Sequence, residues 1–567
     1  MNNKFSFVLF AWIQAFCVAA QSHIPFPYQI EKVVEADSAA VVTAHPLATK
    51  VGLDILRRGG NAIDAAVAVQ FALAVVYPQA GNIGGGGFLA YRSAKGETAV
   101  LDYREKAPGA AAERMFQDTF GQVLPNKSRY GIFAAGVPGT VDGMWTAHQK
   151  YGSMPWGQLV QPAVELAEKG FQITEREAAN LEAEKMTFAR YNTLLPAFVR
   201  FDRPWESGDW LIQKELAYAL RKIADKGRDG LYSGPVAEYI LKTTERSRGL
   251  ITAQDLEAYR SVWRQPLEFD WKGLRITTMP PPSSGGIILR QVLEMIEVCQ
   301  LGKSDFRTAK ALHCISEAER RAFADRAQHA ADPDFWPVPV EAMTAPDYLK
   351  ARMRDFDPER ATPSRSVQAG VFPQSEETTH YSIVDRQGNA VAVTTTLNDA
   401  YGSRVVVSGA GFILNNEMDD FSAKPGAPNL YGAIGGKANA VAPGKRPLSS
   451  MTPTIVSREG AFEMALGTPG GTTIPTSVIQ VLFNVYVFGL TLPDAVQTGR
   501  FHHQWSPDAI QVEEGAFSDD LLQKLEQMGH EIRPRTPIGR VEAIRRLPNG
   551  KLQAAADTRG DDSAAGY

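Results

Sequence analysis

The chain has 567 residues, with 59 Lys and Arg against 63 Asp and Glu and a net charge of -4. With 44% hydrophobic and 22% charged residues it has the composition of an ordinary globular protein. Neither this charge balance nor any Lys/Arg-rich run gives an electrostatic footing for nucleic acid or an anionic membrane, which leaves small-molecule chemistry as the class to test.

Along the chain, Lys4 is followed by the apolar run 5–18 and then Ala19-Ala20-Gln21-Ser22. A basic start, a short apolar core and a small-residue exit are the parts of a secretory signal peptide, with cleavage expected after Ala20. The run is too short, and too interrupted by Gln14, for a membrane span. Cys17 lies in this segment, leaving Cys299 and Cys314 in the mature chain. An export signal permits these two to pair without requiring it. There is no CxxC pair and no HExxH, and the nine histidines show no metal-ligand spacing, so neither a metal nor a cofactor is expected.

Residues 38–76 read as helix-rich. Arg57-Arg58-Gly59-Gly60 looks like a cationic last turn with a glycine stop, after which Asn61 can cap a second helix over 62–75. The four-glycine run 84–87 precedes strands expected over 88–91 and 100–104. The middle, roughly 150–375, is dominated by long polar helices such as 176–190 and 309–331, and 364–377 reads as an exposed linker. From Thr378 the texture changes to a β-hairpin, 379–385 and 390–396 around a Gln387-Gly388-Asn389 turn. A strand over 411–415 and a helix over 474–488 follow. Strands at both ends with helices between predict an α/β layered protein, although periodicity leaves the layer order open.

Several motif readings fail. The Gly81–Gly87 stretch lacks the spacing and the following acidic residue of a dinucleotide fingerprint. Pro443-Gly444-Lys445-Arg446 has Arg where a phosphate loop needs Ser or Thr, and no GxSxG elbow exists. Such glycine clusters more often serve turns and close packing than cofactors. On pattern alone, Thr378 is one more strand-forming threonine.

Six separated motifs nevertheless stand in one order: Gly59-Gly60-Asn61-Ala62-Ile63-Asp64, Asp102-Tyr103-Arg104-Glu105, Glu377-Thr378-Thr379-His380-Tyr381, Asn415-Asn416-Glu417-Met418-Asp419-Asp420, Arg446-Pro447-Leu448-Ser449-Ser450 and Gly467-Thr468-Pro469-Gly470-Gly471. In this the chain, over roughly 38–567, resembles the gamma-glutamyltransferases of the N-terminal-nucleophile hydrolase group. The resemblance implies an αββα four-layer sandwich, built as one interwoven unit. It implies a signal peptide over 1–20, a large subunit over 21–377 and a small catalytic subunit over 378–567, the last two forming a heterodimer after the chain cuts itself between Glu377 and Thr378.

By the same resemblance Thr378 is the nucleophile and Thr396 its hydrogen-bond partner, while Gly470 and Gly471 present N–H groups to an oxyanion. Arg104, with Ser449 and Ser450, holds a substrate α-carboxylate; Asn398, Glu417 and Asp420 receive its α-ammonium. Residues 425–436 correspond to a lid loop with Tyr431 as its gate. Expected substrates are glutathione, glutamine and acceptor amino acids or dipeptides. Bacterial members often carry Gln before the nucleophile or at the position of Glu417, where this chain has Glu at both. Taken alone, each of these residues also has a structural explanation. The rival functions are a glutaryl acylase or a capsule-polymer transpeptidase of the same fold, or a non-catalytic exported binding protein.

Overall fold

The computed structural model describes residues 29–367, 377–424 and 436–567. The expected signal peptide, the centre of the linker and the lid residue Tyr431 lie outside the described residues.

Two seven-stranded antiparallel sheets pack face to face. The first runs, in spatial order, Ser563–Gly566, Ala40–Thr43, Glu377–Val384, Ala390–Asn398, Gly86–Arg92, Thr98–Asp102 and Val262–Arg264. The second runs Val33–Ala36, Leu552–Ala556, Glu542–Arg546, Ala461–Gly467, Thr454–Arg458, Leu274–Thr278 and Leu267–Trp271. Each sheet therefore takes strands from both sides of Thr378, and the two segments share one core.

Period-two alternation explains the layering. On the central hairpin Ala390 and Ala392 face the other sheet, where they meet Ala465, Ala554 and Ala556. Their neighbours Val391 and Val393 face outward with Tyr381 and Ile383, onto helices Pro46–Arg57, Ala62–Val76 and Trp156–Lys169. On this hairpin the small side chains lie between the sheets and the larger ones beneath the helices, so both of its faces are covered. Gly285–Met295, Ala309–His329 and Thr473–Tyr486 cover the second sheet in the same way. The result is the expected αββα order.

The helix Ala62–Val76 is buried along its whole length, as its apolar residues on every face require. Asn61 and Asp64 form a reciprocal capping box, and Asp385 of the hairpin turn accepts the Ala62 N–H at 2.9 Å. Asn61→Ala removes the cap and the side-chain bond to the Tyr151 carbonyl, so a loss of about 1–2 kcal/mol is expected in denaturant unfolding.

One sequence expectation needs correction and one is incomplete. The strands Leu267–Trp271 and Leu274–Thr278 lie in the helix-rich middle, for which no strand was expected. Their signal was present: Leu267, Phe269 and Trp271 alternate, and Lys272-Gly273 forms the turn with positive φ at both residues. The strand expected over 411–415 is instead an irregular segment with one isolated bridge, Val406 to Ile413. Cys299 and Cys314 form a disulfide that ties a short 3-10 turn to the helix Ala309–His329.

Candidate active site

Thr378 and Thr396 are direct partners in the central hairpin. The register slips between Glu377 and Thr378, because Glu377 pairs with Asn398 and skips Leu397. A bulge thus falls at the bond expected to be cut, a placement common beside active sites. Opposite it, Asn398 takes a left-handed conformation at φ 76°, which asparagine tolerates better than most residues. Its N–H donates to Thr396 Oγ1 at 2.7 Å and its Nδ2 to the Asn416 carbonyl at 2.9 Å.

The glycine run has a packing role. A Cβ on Gly85 would lie 2.0 Å from the Thr396 carbonyl oxygen, and one on Gly87 2.4 Å from that of Thr394. Asn82 completes the contact by donating to the Thr396 carbonyl at 2.8 Å. Gly85→Ala should therefore push the strand carrying Thr396 out of place. The expected result is a chain that stays largely uncut on a denaturing gel; normal maturation would show that this close approach is dispensable.

Arg104, just past the strand Thr98–Asp102, is 2% exposed and sits among three carboxylates. It pairs with Asp420 and with Glu417 at 2.7 Å, and Glu105 lies 3.7 Å away. It also donates to the carbonyls of Pro447 and Leu448, at 3.3 and 3.0 Å. Those contacts bring the next residues, Ser449 and Ser450, to the same place. The Ser449 backbone is held by Pro282 and by Ser284, whose hydroxyl is in turn held by Arg326. The turn Glu417–Asp420 is fixed by Asn415, which accepts the Glu417 N–H at 3.0 Å and donates to the carbonyls of Gly84 and Gly136.

Three buried carboxyls around one guanidinium cannot all hold their charge out of solvent. Burial, only partly offset by Arg104, pushes the carboxyls of Glu417 and Glu105 up to about 8. Burial and the neighbouring Glu417 also raise Asp420 well above the usual carboxylate range. For Arg104, burial opposes the charge, but Glu417, Asp420 and Glu105 together hold its pKa above the ordinary value. Two consequences follow. The site has room, electrostatically, for one more cation. And because the folded protein holds protons on Glu105 and Glu417 that the unfolded chain releases above 4.5, this contribution to stability is full below 4.5 and is lost as pH rises towards about 8. The melting temperature should fall between about pH 5 and 8, and Glu105→Gln should flatten that fall; an unchanged slope would rule out this source.

Gly470 and Gly471 form the turn between the strand Ala461–Gly467 and the helix Thr473–Tyr486, with φ of 125° and 60°. Both conformations favour glycine. This turn is docked to the nucleophile strand through Gly467, where a Cβ would meet the His380 ring at 2.3 Å. His380 itself is buried, hydrogen-bonded to Thr394 and Ser382, and burial drives its pKa down to about 3. It is a neutral spacer, not a base at physiological pH.

The fold thus joins Thr396, Asn398, Glu417, Asp420, Arg104, Ser449 and Ser450 into one buried cluster beside the Thr378 backbone. Sequence reasoning gave no role to Glu105, Asn82 or Asn415. The available signal was that Glu105 and Asn415 belong to motifs of the ordered set and that Asn82 lies in the glycine-rich stretch 81–87. Lys445 of the rejected phosphate loop donates to the carbonyls of Ala438 and Ala440, a structural use. Among the described residues one group has metal-ligand geometry, His313, Glu317 and His530. Its two histidines bond each other at 2.7 Å, and Glu317 is taken by Arg320 and Arg321 at 3.2 and 2.6 Å.

Comparison with known proteins shows which family the chain resembles over nearly its whole length. A family model described as gamma-glutamyltranspeptidase matches residues 48–567. The chain is 44% identical over 568 residues to a glutathione hydrolase proenzyme of Escherichia coli strain K12, covering 98% of each. Among solved structures, a Helicobacter pylori gamma-glutamyltranspeptidase is 42% identical with a TM-score of 0.57, covering 60% of this chain and 97% of that one. A cephalosporin acylase from Bacillus halodurans has a TM-score of 0.82 at 27% identity, covering 96% and 98%.

Proposed function

The chain belongs to the gamma-glutamyltranspeptidase family, and from that membership we propose that it is a self-processing gamma-glutamyltransferase and glutathione hydrolase acting outside the cytoplasm. The observation that carries this reading is the buried set Arg104, Glu417 and Asp420, joined through Asn398 to the Thr378–Thr396 pair.

In the proposed maturation, the Thr378 hydroxyl adds to the Glu377 carbonyl and the peptide C–N bond breaks, leaving an ester. Water then opens the ester, releasing a large subunit that ends at Glu377 and a small one that starts at Thr378. A threonine hydroxyl is a weak nucleophile until a base takes its proton, and the new α-amino group, with a free-peptide pKa of about 8, supplies that base. The register slip falls at this bond, with Glu377 paired to Asn398, Thr378 to Thr396 and Leu397 skipped between them.

In turnover, the substrate's glutamyl head group enters as a zwitterion. Its carboxylate takes the Arg104 fork, aided by the Ser449 and Ser450 hydroxyls, and its ammonium takes Glu417 and Asp420 with the Asn398 amide. The incoming pair of charges separates Arg104 from its own carboxylates and re-pairs both, so binding strands no charge. The γ-carbonyl then meets Thr378, with Gly470 and Gly471 N–H groups stabilising the oxyanion. The acyl group passes from Thr378 to water or to an amine. The basic start, short apolar run and small-residue exit of the first residues support export, and among the described residues no helix is long and apolar enough to cross a membrane.

The test is to incubate the purified protein with glutathione, with and without glycylglycine, and to identify products by mass spectrometry. Free glutamate in the first case and γ-glutamyl-glycylglycine in the second are expected. Intact glutathione in both would defeat the proposal.

A further inference from the structure

A cavity of about 390 Å³ lies between the first turn of the helix Lys214–Lys226 and the last turn of the helix Gly234–Arg246. Val405, Val406 and Ser408, from the other side of Thr378 in the chain, complete its wall. It shares no lining residue with the Arg104 cluster or with the Gly470 turn. Its volume falls within the roughly 300–1,000 Å³ of ordinary small-ligand pockets.

Three kinds of group line it. The apolar ones include Leu194, Leu195 and Ile212, which are 63, 56 and 43% exposed, an unusual gathering of large apolar side chains in the open. The cations are Lys214 and Arg246, both exposed, and among the described residues neither has a carboxylate within ion-pair distance. Glu215, the one acid among the described lining residues, accepts the Gly409 N–H at 3.1 Å. The helix Lys214–Lys226 has no side-chain cap, so its first N–H groups add to the positive potential. The third kind is buried and unpaired. Gln213 is 2% exposed and its Nε2 donates to the Val75 carbonyl at 2.8 Å, which leaves Oε1 without a donor. Thr243 is 8% exposed, and its hydroxyl has no partner either. Buried polar atoms are costly to leave unpaired, so two on one wall call for a ligand that completes them.

We propose that this cavity binds an apolar amino acid through its free carboxylate, either as the free amino acid or as the C-terminal residue of a short peptide. The carboxylate takes the helix N-terminus, Lys214 and Arg246, and accepts the Thr243 hydroxyl. The α-nitrogen donates to Gln213 Oε1, and the side chain covers Leu194, Leu195 and Ile212. The unpartnered Gln213 acceptor decides the class. A simple fatty acid would suit the cations and the apolar wall, but once ionised it has no N–H or O–H to give. The site stands apart from the γ-glutamyl chemistry and does not depend on it. Its ligand touches residues on both sides of Thr378, so occupancy should also raise the melting temperature.

The experiment is titration calorimetry on the purified protein, with no γ-glutamyl donor present. The main probe is N-acetylleucine, which keeps the carboxylate, the N–H and the side chain but has no amine that could accept an acyl group. It should bind about tenfold tighter than N-acetylleucinamide, which lacks the charge, and about fivefold tighter than 4-methylpentanoate, which lacks the N–H. Leucine and glycylleucine then separate the two sources: tighter binding of leucine assigns the free amino acid, and of glycylleucine the peptide terminus. Thr243→Val should weaken N-acetylleucine about fivefold, and Ser408→Trp, which fills the cavity, should abolish its binding. The ligand series on the parent protein needs neither variant to fold. No heat with N-acetylleucine at millimolar concentration would overturn the proposal. So would equal or tighter binding of 4-methylpentanoate, or undiminished binding to a folded Ser408→Trp protein, which would place the ligand elsewhere.

Discussion

Thr378→Ala yields a single uncut chain, and γ-glutamyl anilide hydrolysis falls by at least about a thousandfold, the scale seen when a nucleophile is removed. The substitution deletes the single hydroxyl that would attack the Glu377 carbonyl in maturation and carry the acyl group in turnover. It leaves the surrounding fold in place, because the hairpin is held by backbone pairing from Glu377 to Val384 and by Tyr381 and Ile383 in the outer core. Circular dichroism should therefore match the parent protein while denaturing gels and intact mass differ. Thr378→Ser keeps a hydroxyl next to the new amino group and should still mature. Normal cutting of the alanine variant would mean that another residue is the nucleophile.

The second expected result is a preference for a γ-glutamyl anilide over the matching glutaryl anilide of about a hundredfold or more in kcat/KM, as for a site whose buried polar groups lose their partner. The two compounds differ by one α-amino group. Without it, the substrate carboxylate takes Arg104 away from Glu417 and Asp420 and offers those carboxyls no cation in return. Burial already holds both above their usual range with Arg104 only partly offsetting it, so losing Arg104 to a substrate carboxylate, with no ammonium in return, leaves them without compensation. Asp420→Asn should narrow the preference by lowering activity on the glutamyl substrate more than on the glutaryl one. Equal use of both anilides by the parent enzyme would move the chain towards the acylases that share its fold, and would return Glu417 and Asp420 to a structural role.

Much of the site was legible as residue types in order, and little of it as geometry. Arg104 and Asp420 are 316 positions apart, and no local pattern says that they meet. Their contact follows from two placements: Arg104 continues a strand of the first sheet, and Glu417–Asp420 is pinned to the glycine run by Asn415. Glu105 was part of a quoted motif but received no role, because a carboxylate next to an arginine in sequence looks like an exposed pair until burial is known. The four glycines read correctly as packing residues, but what they pack against, the carbonyls of the strand bearing Thr396, is a tertiary fact.

The sequence by itself determined what short-range physics controls. Asn61 and Asp64 cap a helix wherever that helix lies, and Gln387-Gly388-Asn389 closes the hairpin because Gly388 accepts a φ of 88°. It also carried the ordered motifs that mark the family. The tertiary structure decided which strands became neighbours, how Leu267–Trp271 and Leu274–Thr278 completed the second sheet, and where Gln213 and Thr243 came to share a cavity with Val405 and Val406. It also decided the charge states at the core of the site. A carboxyl's affinity for its proton depends on burial and on the charges within a few ångströms, and both are set by pairings between residues hundreds of positions apart.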